Sequence, residues 1–272
     1  MNVMRAVAVS SERMIAIIYR YRRLLVSITK VELAKRHAGS VLGMIWVVLQ
    51  PALLLSVYLF IYMVVFKMRF PGFSRLEYVL YVFCGLVPYL GFMEALTTGA
   101  LSIKQNIHLV KNVMLPIELI PVRSVLVGMT SQVVSIPLVL LLVAADHALS
   151  WHVLWLPAVV AMQVAWLAGL TWIMSSITVA LPDVTYFVNL FVFLLMFLSP
   201  IGFKPEMVPP GFWFIIYLNP IYYLTEMYRD SMLNGHWPPA SVLIVYVVMC
   251  VATFALGSAF FERLKGVLID YE

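Results

Sequence analysis

Charge is what this sequence has least of. Only 11% of its 272 residues are Asp, Glu, Lys or Arg, 18 basic and 13 acidic, where a soluble chain carries ~25%. Hydrophobic residues make up 63% and the mean hydropathy is +0.98. A globule of this length cannot bury so much apolar surface, so lipid must be the solvent for much of it. Cysteine is nearly missing. Cys84 and Cys250 lie inside apolar runs, where a thiol stays neutral, so neither a disulfide framework nor thiolate chemistry is expected. The five histidines, His37, His108, His147, His152 and His236, fall at no metal-binding spacing. No G-x-x-x-x-G-K-[ST] phosphate loop occurs, so the chain is expected to cradle no nucleotide in that way; no cofactor, metal or enzymatic activity is expected of it. A membrane-embedded lipid-modifying enzyme would need clustered Asp, His or Glu, and none is visible. The +5 net charge is not interleaved with aromatics in a soluble run, which excludes nucleic acid as a partner.

What remains is apolar sequence in long runs. A hydrocarbon core ~30 Å thick takes about 20 residues of helix. Five runs meet that length: Leu42 to Phe66, Val79 to Leu101, Leu119 to Val143, Val153 to Leu181 and Val242 to Phe261. A shorter one, Val184 to Pro200, completes six crossings and an all-α integral membrane protein. With six crossings both ends share a side, and the positive-inside rule selects it. Thirteen Lys and Arg, from Arg5 through Arg36, then Lys104, Lys111, Arg123, Arg263 and Lys265, face five: Lys67, Arg69, Arg75, Lys204 and Arg229. Both termini are therefore expected in the cytoplasm, and the basic residues against anionic lipid. The first apolar run starts about 40 residues in and is too long for a signal h-region, so no cleaved leader is expected.

Three segments are not simple spans. From Ser11 to Ile28, Met14, Ile17, Ile18, Tyr21, Leu24, Leu25 and Ile28 recur at steps of three and four, with Arg13, Arg20, Arg22 and Arg23 on the other side. That is an amphipathic helix lying in the headgroup layer, guanidinium groups toward phosphate. Residues 102–114 are too polar to cross, yet place Ile103, Ile107, Val110 and Met114 on one helical face that wants a partner. Residues 201–239 hold two aromatic stretches, Phe212 to Tyr217 and Ile221 to Leu224, divided by Asn219-Pro220. Each is too short to cross, and two half-helices dipping into the outer leaflet would satisfy their backbones against neighbours. Glu226, Arg229 and Asp230 are expected to emerge into a wetter region. Within the spans, Glu94 and Arg123 are the ionisable suspects, either paired with each other or in contact with cargo.

In order and spacing, several local pieces resemble one family: Ser40-Val-Leu-Gly-Met-Ile-Trp46, Leu49-Gln-Pro51, Gly85-Leu86, Asn106, Met114-Leu-Pro-Ile-Glu-Leu119, Pro182-Asp183-Val184, Ser199-Pro200-Ile201, Asn219-Pro220, Glu226, Arg229 and Gly235. They resemble the ABC-2-type permeases that export bacterial polysaccharides such as O antigen, capsule and teichoic acid. Two positions depart from the family: Pro182 stands where Arg often precedes the Asp, and Pro88-Tyr89 where a Trp is common.

The resemblance implies a permease in the bacterial inner membrane that moves lipid-linked polysaccharide. It would work as a homodimer with two separate ATPase subunits, which hold the ATP and Mg. It also implies residues 1–40 as a cytoplasmic region with an interface helix carrying Arg13, Arg20, Arg22 and Arg23, and 41–272 as the membrane domain. The coupling helix would be 102–114, with Ile103, Lys104, Asn106, Ile107, Val110 and Lys111 meeting the ATPase. Re-entrant periplasmic gate helices would occupy 204–235 between spans five and six, with Phe212, Trp213, Tyr217, Tyr222 and Tyr223. A sugar chain slides best past aromatic faces with few fixed charges. Trp46, Tyr58 and Tyr62 of the first span and Tyr186, Phe187, Phe191 and Phe197 of the fifth are accordingly the conduit candidates. Other cargoes of the same architecture are teichoic acid, capsule, or a small drug or lipid.

Overall fold

The computed structural model describes residues 3–36, 38–65, 74–106, 115–146 and 148–270, all of whose regular structure is helical. The helices are α1 (Val3–Arg20), α2 (Arg22–Arg36), α3 (Trp46–Phe60) continued by a π-turn (Ile61–Val65), α4 (Arg75–Ala100), α5 (Leu119–Gly128) and α6 (Thr130–Ala145). After these come α7 (Leu156–Ala180), α8 (Val184–Leu198), α9 (Trp213–Tyr217), α10 (Pro220–Arg229) with a π-turn (Asp230–Asn234), and α11 (Ala240–Asp270).

Four stretches are long and apolar enough to cross a bilayer: Leu76–Ala100, Leu119–Ala145, Trp151–Ala180 and Ala240–Leu268. The two remaining apolar helices are shorter than expected. α8 has 15 residues, a rise of about 22 Å, and α3 has 15 before its 5-residue π-turn. Pro200 and the extended backbone at Ser199 end α8, because a proline donates no hydrogen bond and pushes the residue before it out of helix.

α4 is the central post. Its start is fixed by a capping box: Ser74 Oγ accepts from the Glu77 N–H at 3.1 Å, and the Glu77 carboxylate accepts from the Ser74 N–H at 2.5 Å. Of its apolar window 83% is buried, against 22% for that of α11, so α4 is walled in by other helices while α11 turns most of its surface outward. A single large core runs along α4 and takes in Phe83, Tyr89, Phe92, Trp166, Val192, Tyr228 and Tyr246, with Cys84 and Cys250 as small buried members.

α7 and α11 cross backbone to backbone. A Cβ on Gly257 would lie 2.3 Å from the Gly169 carbonyl oxygen, and one on Gly169 would lie 2.3 Å from that of Thr253. Small residues at such a crossing let helices approach where lipid offers no hydrophobic drive. Gly257→Val should separate the pair and destabilise the fold by ~3 kcal/mol or more. Gly266→Val on the same helix meets open space and should melt like the parent. Thermal unfolding in detergent, followed by tryptophan fluorescence, checks both.

The amphipathic segment forms as α1 and α2, which meet at Tyr21 with helical hydrogen bonding carried across it (Tyr21 N–H to Ile17 at 2.9 Å, Leu25 N–H to Tyr21 at 2.8 Å). Its apolar face does not simply rest on lipid. Met14 and Leu25 are fully buried in a second core with Ile117, Leu119, Ile120, Trp172 and Phe261, and Ile17, Ile18, Tyr21 and Ile28 pack against it; Leu24 stays exposed. This end of the bundle offers apolar side chains to cover, and protein takes the place assigned to acyl chains.

Candidate functional site

Between α3 and α8 lies a cavity of about 820 Å³, floored by α4. Trp46, Gln50 and Leu53 of α3 form one wall and Asn189 and Phe193 of α8 the other; Glu94, Thr97 and Thr98 of α4 and Ser131 of α6 line the rest. It joins an aromatic face to amides, hydroxyls and a carboxylate, the mixture that a polyhydroxylated chain requires. Gln50 and Asn189 are exposed amides in otherwise apolar helices, and neither has a hydrogen-bond partner among the described residues. An amide facing hydrocarbon alone costs several kcal/mol, so this face meets water, cargo or another chain rather than acyl tails.

Of the conduit candidates, Trp46 lines this cavity. The side chains of Tyr58 and Tyr62 lie outside the described residues. Tyr186, Phe187, Phe191 and Phe197 are all exposed on α8, but Phe191 lines a different, apolar cavity of about 520 Å³ beneath α9 and α10. Phe193, which sequence reasoning passed over, lines the polar cavity and stands edge-on to Phe197 with ring centroids 5.3 Å apart.

Glu94 and Arg123 do not pair with each other. Glu94 binds Arg36 and accepts from Ser131 Oγ at 3.2 Å, while Arg123 lies 3.5 Å from Glu32. α2 carries the partner of each charge, because it lies against α5 and the end of α4. Two further bridges complete this belt: Lys265 with the buried Glu118, and Arg13 with Glu262 at 2.6 Å. Glu118 thus ties the loop before α5 to α11, reinforced by the Trp172 indole donating to its carbonyl at 3.1 Å. Arg13 is held by protein. Arg22 sits 4.3 Å from the Tyr19 ring centroid and Arg20 5.7 Å from that of Tyr21, and Arg20, Arg22 and Arg23 have no carboxylate partner among the described residues.

After α4 the chain continues helically through residues 102–106. Ile103, expected on the docking face, is fully buried in the second core, where it anchors the turn to its own bundle. Lys104 is exposed, and Asn106 donates to the Ser102 carbonyl at 2.8 Å. Ile107, Val110 and Lys111 lie outside the described residues.

At the other end α9 and α10 meet at a corner. Asn219 makes the corner: its Oδ1 accepts from the Ile221 N–H at 2.9 Å, capping α10, while its Nδ2 donates to Ser199 Oγ at 2.9 Å. Pro220 occupies the first turn, where no donor is needed. Trp213, Tyr217, Tyr222 and Tyr223 run edge to face, with centroids 6.5, 5.7 and 5.0 Å apart; Phe212 is exposed beside them. Arg229 does not emerge into water. Its side chain is wholly buried, donating to the carbonyls of Pro200 (2.7 Å), Ile201 (3.0 Å) and Tyr81 (3.3 Å) and to Glu226 (2.7 Å), with the Tyr81 ring 3.6 Å away. These groups replace hydration, and Asp230 is likewise buried, accepting from Asn234 at 2.7 Å.

A second polar lock was missed from sequence. Gln132 donates to Gln163 (2.8 Å) and Tyr228 (2.6 Å), and Gln163 donates to the Pro88 carbonyl (3.1 Å). It joins α4, α6 and α7 to α10 within the apolar core.

The family model described as "ABC-2 type transporter" matches residues 23–233. An O-antigen export system permease protein RfbA of Myxococcus xanthus is 29% identical over 253 residues, 92% of this chain and 95% of the relative. A Klebsiella pneumoniae protein of the same name is 29% identical over 246 residues, covering 89% and 92%. The polysialic acid transport protein KpsM of Escherichia coli is 22% identical over 241 residues, covering 88% and 92%.

Proposed function

Because this chain belongs to the ABC-2 type transporter family, we propose that it is the membrane subunit of an ATP-driven exporter of lipid-linked polysaccharide, O antigen first among them, in the bacterial inner membrane. The observation that carries the reading is the end-to-end match to two permeases named for O-antigen export, which spans about nine-tenths of each chain. Capsule export is the second reading, favoured by the weaker match to the polysialic acid transport protein.

In this reading α3 and α8 join the four long helices to make six crossings, with both termini inside. Two copies face each other across the α3–α8 cavity, which supports the proposal by supplying polar and aromatic walls where lipid would accept neither amide. α9 and α10 are gate helices dipping into the outer leaflet, and residues 102–114 couple to the ATPase. ATP and Mg stay with that partner. This chain contributes geometry and differential affinity, so that closure of the ATPase selects the conformation with an open conduit.

Deleting the gene should trap lipid-linked glycan on the cytoplasmic side and strip O antigen from the cell surface, read by immunoblot of whole and permeabilised cells. Unchanged surface glycan would overturn the assignment. Ile107→Asp should reduce recovery of an ATPase subunit with the tagged chain by ~10-fold or more, by placing a charge in an apolar contact, while membrane insertion is unchanged. Normal co-purification would move the coupling element elsewhere.

A further inference from the structure

At the inner end of the α3–α8 cavity, and sharing Arg36 and Thr98 with it, is a separate polar pocket of about 350 Å³. It is bounded by α2, the end of α4, the turn at 102–106 and α5. Lys35 and Arg36 enter from α2, Arg123 from α5, and Ser102 and Asn106 from the turn; Glu32 is the one carboxylate among its described lining residues. Arg36 is satisfied by Glu94, which leaves Lys35 and Arg123 to face Glu32.

Arg123 is not satisfied by that carboxylate. It is 4% exposed, its 3.5 Å approach to Glu32 forms no hydrogen bond, and its Nε–H reaches no acceptor among the described residues. Ser102 Oγ, 1% exposed and lining the same pocket, also has no partner among the described residues. Unpaired buried donors are costly to leave without acceptors, more so where charged. Two of them on one pocket, from different helices and beside a surplus lysine, describe a place built for acceptor oxygens.

We propose that this pocket is a phosphate-binding site at the cytoplasmic mouth. A phosphate offers three or more acceptor oxygens at once, which suits a guanidinium, a hydroxyl, an ammonium and the Asn106 amide converging from three elements. Its position beside the cavity makes the phosphate of a lipid carrier the ligand, engaged before the chain attached to it enters. That choice of source rests on the export reading; the anion site does not.

The test uses the full-length chain in nanodiscs, with farnesyl phosphate and inorganic phosphate as probes, followed by thermophoresis at two salt concentrations. Farnesyl phosphate should bind, inorganic phosphate should compete more weakly, and binding should weaken with salt. Arg123→Gln should loosen binding by about tenfold, and Lys35→Gln, at an exposed position, by a few-fold. Glu32→Gln should tighten it, because the competing carboxylate is gone; a merely structural bridge predicts no gain there. If Arg123→Gln fails to fold, the Lys35 and Glu32 variants decide, since neither side chain is buried. Equal affinity for inorganic and farnesyl phosphate would overturn the lipid source. Binding indifferent to Lys35→Gln and Glu32→Gln, or no binding at all, would overturn the site, and neither result touches the gene-deletion test of export.

Discussion

Arg229→Met is expected to lower stability by ~3–5 kcal/mol, the scale for removing one member of a buried charge pair. The guanidinium holds three elements together: α4 through the Tyr81 carbonyl and ring, the break after α8 through Pro200 and Ile201, and α10 through Glu226. Without it, Glu226 keeps a charge with no partner, and carbonyls released by the α8 break lose their donors. Arg229→Lys should recover little, because one ammonium cannot span the fork that reaches three carbonyls and a carboxylate together. Glu226→Gln should be milder, its side chain being only partly buried. Melting in detergent separates these ranks, and an Arg229→Met chain that melts like the parent would refute the keystone role. The same geometry accounts for Gly85, where a Cβ would lie 2.9 Å from the Arg229 Nη2.

The long helices were legible because apolar length is a one-dimensional property: Leu119 to Val143 lies within Leu119–Ala145, and Val153 to Leu181 overruns Trp151–Ala180 by one residue. The corner at Asn219-Pro220 was legible for local reasons, since an amide that caps and a ring that lacks a donor act within two residues. Charge placement was not. Arg229 reads as a polar-segment residue until α4 is seen against it, and Glu94 and Arg123 invite pairing until α2 supplies a closer partner to each. Ile103 fits a docking face by periodicity, yet which side of a helix is covered depends on elements distant in sequence. The polar lock of Gln132, Gln163 and Tyr228 was missed because the search for costly intramembrane groups was confined to ionisable ones. An uncharged amide deep in an apolar helix carries the same signal at lower amplitude.

That signal also picks out Asn189, a lone amide within α8, Val184–Leu198. Asn189→Trp should cut export by ~10-fold or more while expression and melting stay near parental. The residue is exposed, so the larger ring need displace no packed neighbour, yet it projects into the cavity between α3 and α8 and narrows the space a sugar chain would use. Asn189→Ala with Gln50→Ala should act differently: the cavity stays open, but the two amides that replace water at the hydroxyl edges are gone, each hydrogen bond being worth ~0.5–1.5 kcal/mol. A slowed rate with unchanged glycan length is the expected readout of the double variant. Phe193→Leu tests the aromatic wall, since a flat ring presents its negative face to sugar C–H groups and a branched aliphatic does not. If Asn189→Trp exports normally, the glycan does not pass between α3 and α8, and the apolar cavity beneath α9 and α10, lined by Phe191, Tyr217 and Tyr223, becomes the route to examine with bulky substitutions at Phe191.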